Sequence, residues 1–131
     1  MRYRQYELSD YETVVGWWEK HGWSRVHEYA LSDEGIFIED NEGNGLACGW
    51  YGRTNSKSAL LEWLVTNPNN TNKQSFISLK MIEQIASTFA VNEGYKLLFM
   101  FLENNGLMKF MEKNGWMKGD TKMNIYTKGI A

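Results

Sequence analysis

Ala59-Leu60-Leu61-Glu62-Trp63-Leu64-Val65-Thr66-Asn67-Pro68 opens the stretch that decides the fold, and Leu97-Leu98-Phe99-Met100-Phe101-Leu102 closes it. The first run is apolar and β-forming until Asn-Pro stops it, so 59–66 reads as a strand. Between the two runs, Phe76, Leu79, Ile82, Ile85, Ala86 and Phe89 recur at steps of three and four. That spacing predicts the longest helix over 75–92, and Gly94 ends it. The second run is apolar on both faces. Directly after a helix, such a run predicts a central strand covered on both sides. Strand, helix and strand in this order form a βαβ unit, whose crossover requires the two strands to be parallel.

Working outward, 2–7 reads as a first strand. Ser9 and Glu12 have the spacing of a capping box. Tyr11, Val14, Val15 and Trp18 then mark an amphipathic helix over 10–20, ended by His21-Gly22. Residues 23–32 are irregular or a short helix. Strands at 36–39 and 46–53 flank Asp40-Asn41-Glu42-Gly43-Asn44-Gly45, a hairpin signal. Beyond the βαβ unit a helix is expected at 105–113, closed by Asn114-Gly115. A last hairpin is expected from 116–118 and 122–128, about Gly119-Asp120. The whole predicts an α/β chain: one domain over 1–131, with a central mixed sheet and helices on both faces.

Charge and cysteine content narrow the function classes. The formal net charge is 14 − 16 = −2, and no basic face emerges. A nucleic-acid backbone is therefore disfavoured as the main partner. A single cysteine, Cys48, excludes an intramolecular disulfide and fits a reducing compartment. No apolar core follows Arg2 and Arg4, so no signal peptide is read there, and the run 97–102 is too short to span a membrane. A cytoplasmic location without membrane contact is the expectation. His21 and His27 are the only histidines, and with one remote cysteine they offer no metal-ligand spacing. No metal is expected.

Glu62 is the catalytic candidate. A carboxylate flanked by Leu60, Leu61, Trp63 and Leu64 is expected to be partly desolvated, which raises its pKa towards that of a useful base. Its bland reading is an ion pair with Lys57 or Arg53.

The order of elements resembles the GNAT acetyltransferase superfamily over essentially the whole chain. Leu61 to Pro68 is similar to that family's fourth strand and its "V-x-P" exit. Asn104, Phe110, Glu112, Lys113, Gly115 and Trp116 are similar to its helix of pattern N-x-x-A-x-x-L/F-Y-E-K-x-G-F. Trp17-Trp18, Trp23 and the run Ser56 to Pro68 resemble, more narrowly, small phage-encoded acetyltransferase-like proteins.

The resemblance implies acetyl-CoA as co-substrate and an amine acceptor, on a small molecule or a protein. It implies that an acid on the fourth strand, here Glu62, takes the amine's proton. Leu64, Val65 and Thr66 would present main-chain groups to the pantetheine arm if their strand splays from 96–102. Thr71, Asn72, Lys73, Gln74 and Ser75 would hold the pyrophosphate through amides at a helix start. Asn104 would contact CoA or cap its helix. The acceptor side would be built from Trp17, Trp23, His27 and Tyr29. Around them Glu28, Asp33 and Glu34, opposed by Arg25, favour a cationic amine. In the bland reading these rings simply cover the sheet.

Two departures stand out. The family's phosphate loop, Gln/Arg-x-x-Gly-x-Gly/Ala, falls on Thr71 to Phe76 with neither glycine nor the leading Gln or Arg. Met111 stands where many members have a tyrosine that protonates the departing thiolate. Two functions therefore stay open: an N-acetyltransferase, and a catalytically weak or inactive GNAT-fold protein acting as a protein-binding module.

Overall fold

The computed structural model describes residues 1–102, 104–119 and 126–130. They fall into two compact units, 1–101 and 102–131. The first holds β1 (Arg2–Gln5), α1 (Tyr11–Lys20), β2 (Glu34–Glu39), β3 (Gly45–Gly52), β4 (Ser58–Thr66), α2 (Asn72–Asn92) and β5 (Leu97–Phe99). The second holds α3 (Asn105–Lys113). Short 3-10 turns occupy Leu8–Asp10 and Glu28–Ala30.

The five strands form one sheet in the order β1-β2-β3-β4-β5. The first three neighbour pairs are antiparallel. β4 and β5 are parallel, with Ser58 opposite Leu97 and Leu60 opposite Phe99, as the βαβ reading requires.

Each face of the sheet carries one helix. On one, Tyr11, Val14, Val15, Trp17 and Trp18 of α1 pack with Phe37, Cys48, Trp50 and Val65. On the other, a Cβ added at Gly49 would come within 3.2 Å of Ile82 on α2, and Phe89 meets the Tyr51 ring edge-on at 5.5 Å. Along β3 the side chains thus alternate, with Cys48 and Trp50 towards α1 and Tyr51 towards α2. A sheet covered this way explains why β2 and β3 are buried almost throughout.

Several expectations need correction. β5 is not a covered central strand: Leu97 is 54% and Phe99 42% exposed, and among the described residues β5 is the last strand of the sheet. An apolar run reads alike at the centre and at an edge, so composition alone misplaced it. The expected hairpin beyond it shows no strand at 116–119 or 126–130, and residues 120–125 lie outside the described residues. Asp10, not Ser9, stands at the N-cap of α1, and no Ser9–Glu12 box forms there. The Asp10 carboxylate instead holds the preceding 3-10 turn, Oδ2 accepting from the Glu7 N–H at 2.8 Å, and pairs with Arg4. α2 begins at Asn72, three residues before the start expected at 75, because Thr71 and Gln74 form a capping box.

Candidate functional site

The candidate site is organised by an irregularity in β4. Cys48 on β3 faces Val65, whereas Trp50 faces Glu62, so β4 spends one residue more than β3 over this interval. The extra residue makes a bulge, and Trp63 takes the left-handed conformation, φ 56°. It is the one non-glycine residue with positive φ among those described. For so bulky a residue this costs about 1–3 kcal/mol.

The bulge changes which side chains share a face. Leu61 and Leu64 both approach Gly49 on the α2 side, at 3.4 and 2.9 Å from the position of an added Cβ. In an unbroken strand residues three apart point to opposite faces. Here the two residues between them, Glu62 and Trp63, both point to the α1 side. Trp63 packs against the α1 cluster, and its indole Nε1–H donates to the Ala30 carbonyl at 3.3 Å. Glu62 Oε2 lies 3.7 Å from where a Cβ on Gly52 would sit.

Glu62 is half-buried, and desolvation pushes its carboxyl pKa above the ordinary glutamate value. Arg53, one of its expected partners, is taken by Glu93 and Glu34. Among the described residues no ion pair or hydrogen bond to the Glu62 carboxylate is found.

β4 and β5 part company at the same place. Their ladder stops at Leu60 and Phe99, so 61–66 have no β5 partner among the described residues. At the far end the Asn67 N–H bonds to the Leu46 carbonyl, 2.8 Å, towards β3. Backbone groups alternate along a strand, so those of Thr66 face the unpaired edge and those of Val65 face β3. The Thr66 carbonyl there meets Nε2 of His21 at 2.9 Å.

At the start of α2 the Gln74 N–H donates to Thr71 Oγ, 3.1 Å, and the Thr71 N–H to Gln74 Oε1, 2.8 Å. Ser75 Oγ accepts from Asn70 Nδ2 at 3.2 Å. Of the expected phosphate residues, Thr71, Gln74 and Ser75 are thus engaged in building the loop. Asn72 and Lys73 are exposed at the helix start, where amides favour an anion. Removing the box by Thr71→Ala should lower stability by about 1 kcal/mol, read from urea denaturation, whereas Thr71→Ser should cost little. An unchanged midpoint in Thr71→Ala would deny the box any role.

The expected acceptor residues divide. Trp17 is 6% exposed and stacks on Phe37 at 5.8 Å, so it is core rather than recognition surface. It stands three residues after Val14 and shares its stripe, which is wider than the sequence reading allowed. Trp23 is half-buried and stacks on His21 at 4.6 Å. His27 and Tyr29 are exposed, with their rings 4.0 Å apart. Glu28 and Asp33 line an open cleft of about 220 Å³ with Tyr6, Leu8, Leu31 and Ser32, and Glu62 is not among its walls. In the second unit Asn104 caps α3, its Oδ1 accepting from the Leu107 N–H at 3.0 Å.

No protein-family model and no curated protein matches this sequence. Solved structures do match. A GNAT-family acetyltransferase from Streptococcus pneumoniae superposes with a TM-score of 0.62 at 14% identity, covering 94% of this chain and 97% of the other. An aminoglycoside N-acetyltransferase solved with CoA gives 0.68 at 13% identity, covering 97% and 99%. A transcriptional regulator from Bacillus halodurans gives 0.70 at 14% identity, covering 96% and 99%. The chain has the GNAT acetyltransferase fold. Identities this low carry the fold and nothing narrower, and they lend no support to the likeness with phage-encoded proteins.

Proposed function

We propose that this chain is an acetyl-CoA-dependent N-acetyltransferase acting on an amine. The observation that carries the reading is Glu62: a half-buried carboxylate with a raised pKa, free of ion pairs among the described residues, beside the point where β4 parts from β5. A base needs this combination, since a salt-bridged carboxylate would be too weak to take an amine's proton.

Acetyl-CoA supplies the acetyl group as a thioester. Glu62 removes one proton from the ammonium of the acceptor. The freed amine attacks the thioester carbonyl, a C–N bond forms, the C–S bond breaks and CoA leaves as its thiolate, while the nitrogen gives up its second proton to water to leave a neutral amide. Met111 has no proton to give, so the thiolate is protonated from elsewhere. The open edge of β4 offers Leu64 main-chain groups and the Thr66 N–H to the pantetheine arm, the Thr66 carbonyl being met by His21. The amides of Asn72 and Lys73 suit the phosphates, with less close approach than glycines would permit.

Weak binding of acetyl-CoA is the expected result: heat on titration up to millimolar ligand, and an upward thermal shift growing with concentration. No heat and no shift at that concentration would remove the reading. The second reading, an inactive GNAT-fold module that binds a protein, is favoured by the missing loop glycines and by Met111. It predicts a partner whose capture is unaffected by Glu62→Gln. Among the described residues no helix is long and apolar enough to cross a membrane.

A further inference from the structure

We propose that His21 is a positioning residue that fixes where the pantetheine arm lies along β4, by closing one of the two main-chain carbonyls on the open edge. This rests on the acetyl-CoA reading above and adds to it a reason why the arm has one place on the strand.

Thr66 lies opposite Ala47, and one step along the Asn67 N–H bonds to the Leu46 carbonyl. Such a pair turns the Thr66 N–H and C=O away from β3, towards the edge that β5 leaves uncovered among the described residues. Water ordinarily satisfies a carbonyl on an open edge. Here Nε2 of His21, 45 residues earlier in the chain, meets it at 2.9 Å. A carbonyl only accepts, so Nε2 carries the hydrogen and donates. The end of α1 brings the ring there. His21 is the C-cap of that helix, and Gly22 reverses the chain in the left-handed conformation, φ 79°. The Trp23 N–H returns to the Trp18 carbonyl at 2.8 Å and the Gly22 N–H to that of Glu19 at 3.0 Å, which closes the helix as a Schellman motif. The turn sets Trp23 against His21, the rings stacked at 4.6 Å and 21°, and Trp23 in turn packs on the α1 core cluster. The imidazole is thus held over its face by a ring and at its Nε2 by the strand edge.

What this does follows from the chemistry of the arm. Pantetheine is an extended chain carrying secondary amides, and along an open edge it bonds as an added strand does. Each amide N–H needs an acceptor. Leu64 and Thr66 carry the two carbonyls of this edge, two residues or about 7 Å of strand apart. With both free, an amide would bond at either and the arm would slide by that step. With Thr66 taken, Leu64 alone accepts. The phosphate end sets this register only loosely, because the loop at 71–76 lacks the glycines that let a backbone close on the anion. A slide of one step would carry the thioester past Glu62. His21 acts through the Thr66 carbonyl and touches neither the thioester nor the amine.

The test uses CoA carrying a nitroxide spin label on its sulphur, added to the ¹⁵N-labelled full chain. Broadening of the backbone amide signals along β4 maps where the sulphur end sits. In the wild type one position is expected. The His21 Nε2–H signal, assigned by its absence in His21→Gln, should persist unchanged with CoA bound. In His21→Ala, CoA should bind no more weakly, but a second position should appear, displaced along β4 by about 7 Å. His21→Gln, whose side-chain amide donates to the same carbonyl, should restore the single position. A histidine with only a structural role would instead weaken binding in His21→Ala in step with folding and leave the position alone, and that result overturns the proposal. So does loss of the His21 signal when CoA binds the wild type, because the arm then displaces the ring. Should His21→Ala fail to fold, this wild-type measurement decides. No binding of CoA to the wild type removes the acetyl-CoA reading and this proposal with it. Binding at one unchanged position in His21→Ala removes the role of His21 and spares that reading.

Discussion

Glu62→Gln should lower the acetyl-transfer rate on a verified amine by roughly 10²- to 10⁴-fold, the usual worth of a general base. Gln keeps the shape of the side chain and much of its hydrogen bonding, but it takes up no proton near neutral pH. The pH profile adds a second readout. Burial raises the Glu62 pKa, so the wild-type rate should climb as pH rises through an inflection above the ordinary glutamate value, and this limb should vanish in Glu62→Gln. Stability runs the other way. A carboxyl whose pKa is higher folded than unfolded binds more protons when folded, so its contribution is lost as pH rises from the unfolded value through the folded one. Glu62→Gln should therefore be no less stable than wild type at neutral pH. Turnover and pH profile both unchanged in the variant would take Glu62 out of the mechanism.

The largest stability effect is expected at the neighbour across the strand. Trp50 lies opposite Glu62, is 0% exposed, and packs edge-on to Tyr6 at 5.0 Å and against Trp18 at 5.8 Å. Three elements meet on this one indole: the chain after β1, helix α1 and strand β3. Trp50→Ala removes the ring from a site whose neighbours belong to a hydrogen-bonded sheet and cannot close in fully. A loss of about 3–5 kcal/mol follows, lowering the melting temperature by roughly 10 °C or more. Trp50→Phe should cost distinctly less. It retains an aromatic ring and removes an indole N–H that is buried without a hydrogen-bond partner among the described residues. A drop below about 1 kcal/mol in Trp50→Ala would contradict the packing described.

How much of this could be read in the residues depends on how local the cause is. The βαβ unit was legible because period and punctuation agree: a six-residue apolar stripe on α2, Asn67-Pro68 before it and Gly94 after it. The half-buried Glu62 was legible because its neighbours in sequence are also its neighbours in space. The capping box of α2 is written in the sequence as Thr71-x-x-Gln74, on the same residues that the resemblance assigns to the phosphate loop. Trp17 was misjudged because the width of a helix's buried stripe depends on what faces it, and Phe37 lies far away in sequence. The exposure of β5 was illegible for a similar reason: whether a strand has a second neighbour is decided by distant residues. The bulge at Trp63 left no trace at all. Positive φ is announced by glycine or asparagine, and a tryptophan there follows from the register of β3 against β4.

That register has a consequence for how fold and site can be separated. With Trp63 omitted, the sequence of β4 becomes an unbroken alternation: Ala59, Leu61 and Leu64 on one face, Leu60, Glu62 and Val65 on the other. Every remaining side chain keeps its side. Trp63 thus behaves as a single inserted beat in an otherwise regular rhythm, and the sheet does not need it. Nor does the register need it: without the beat, Glu62, Leu64 and Val65 would face Trp50, Gly49 and Cys48 in an unbroken ladder, and Thr66 would stay opposite Ala47. What the beat sets is therefore local, a swelling of β4 beside Glu62 that could be smoothed away while the strand on either side keeps its place, in a domain whose core had lost nothing but one ring.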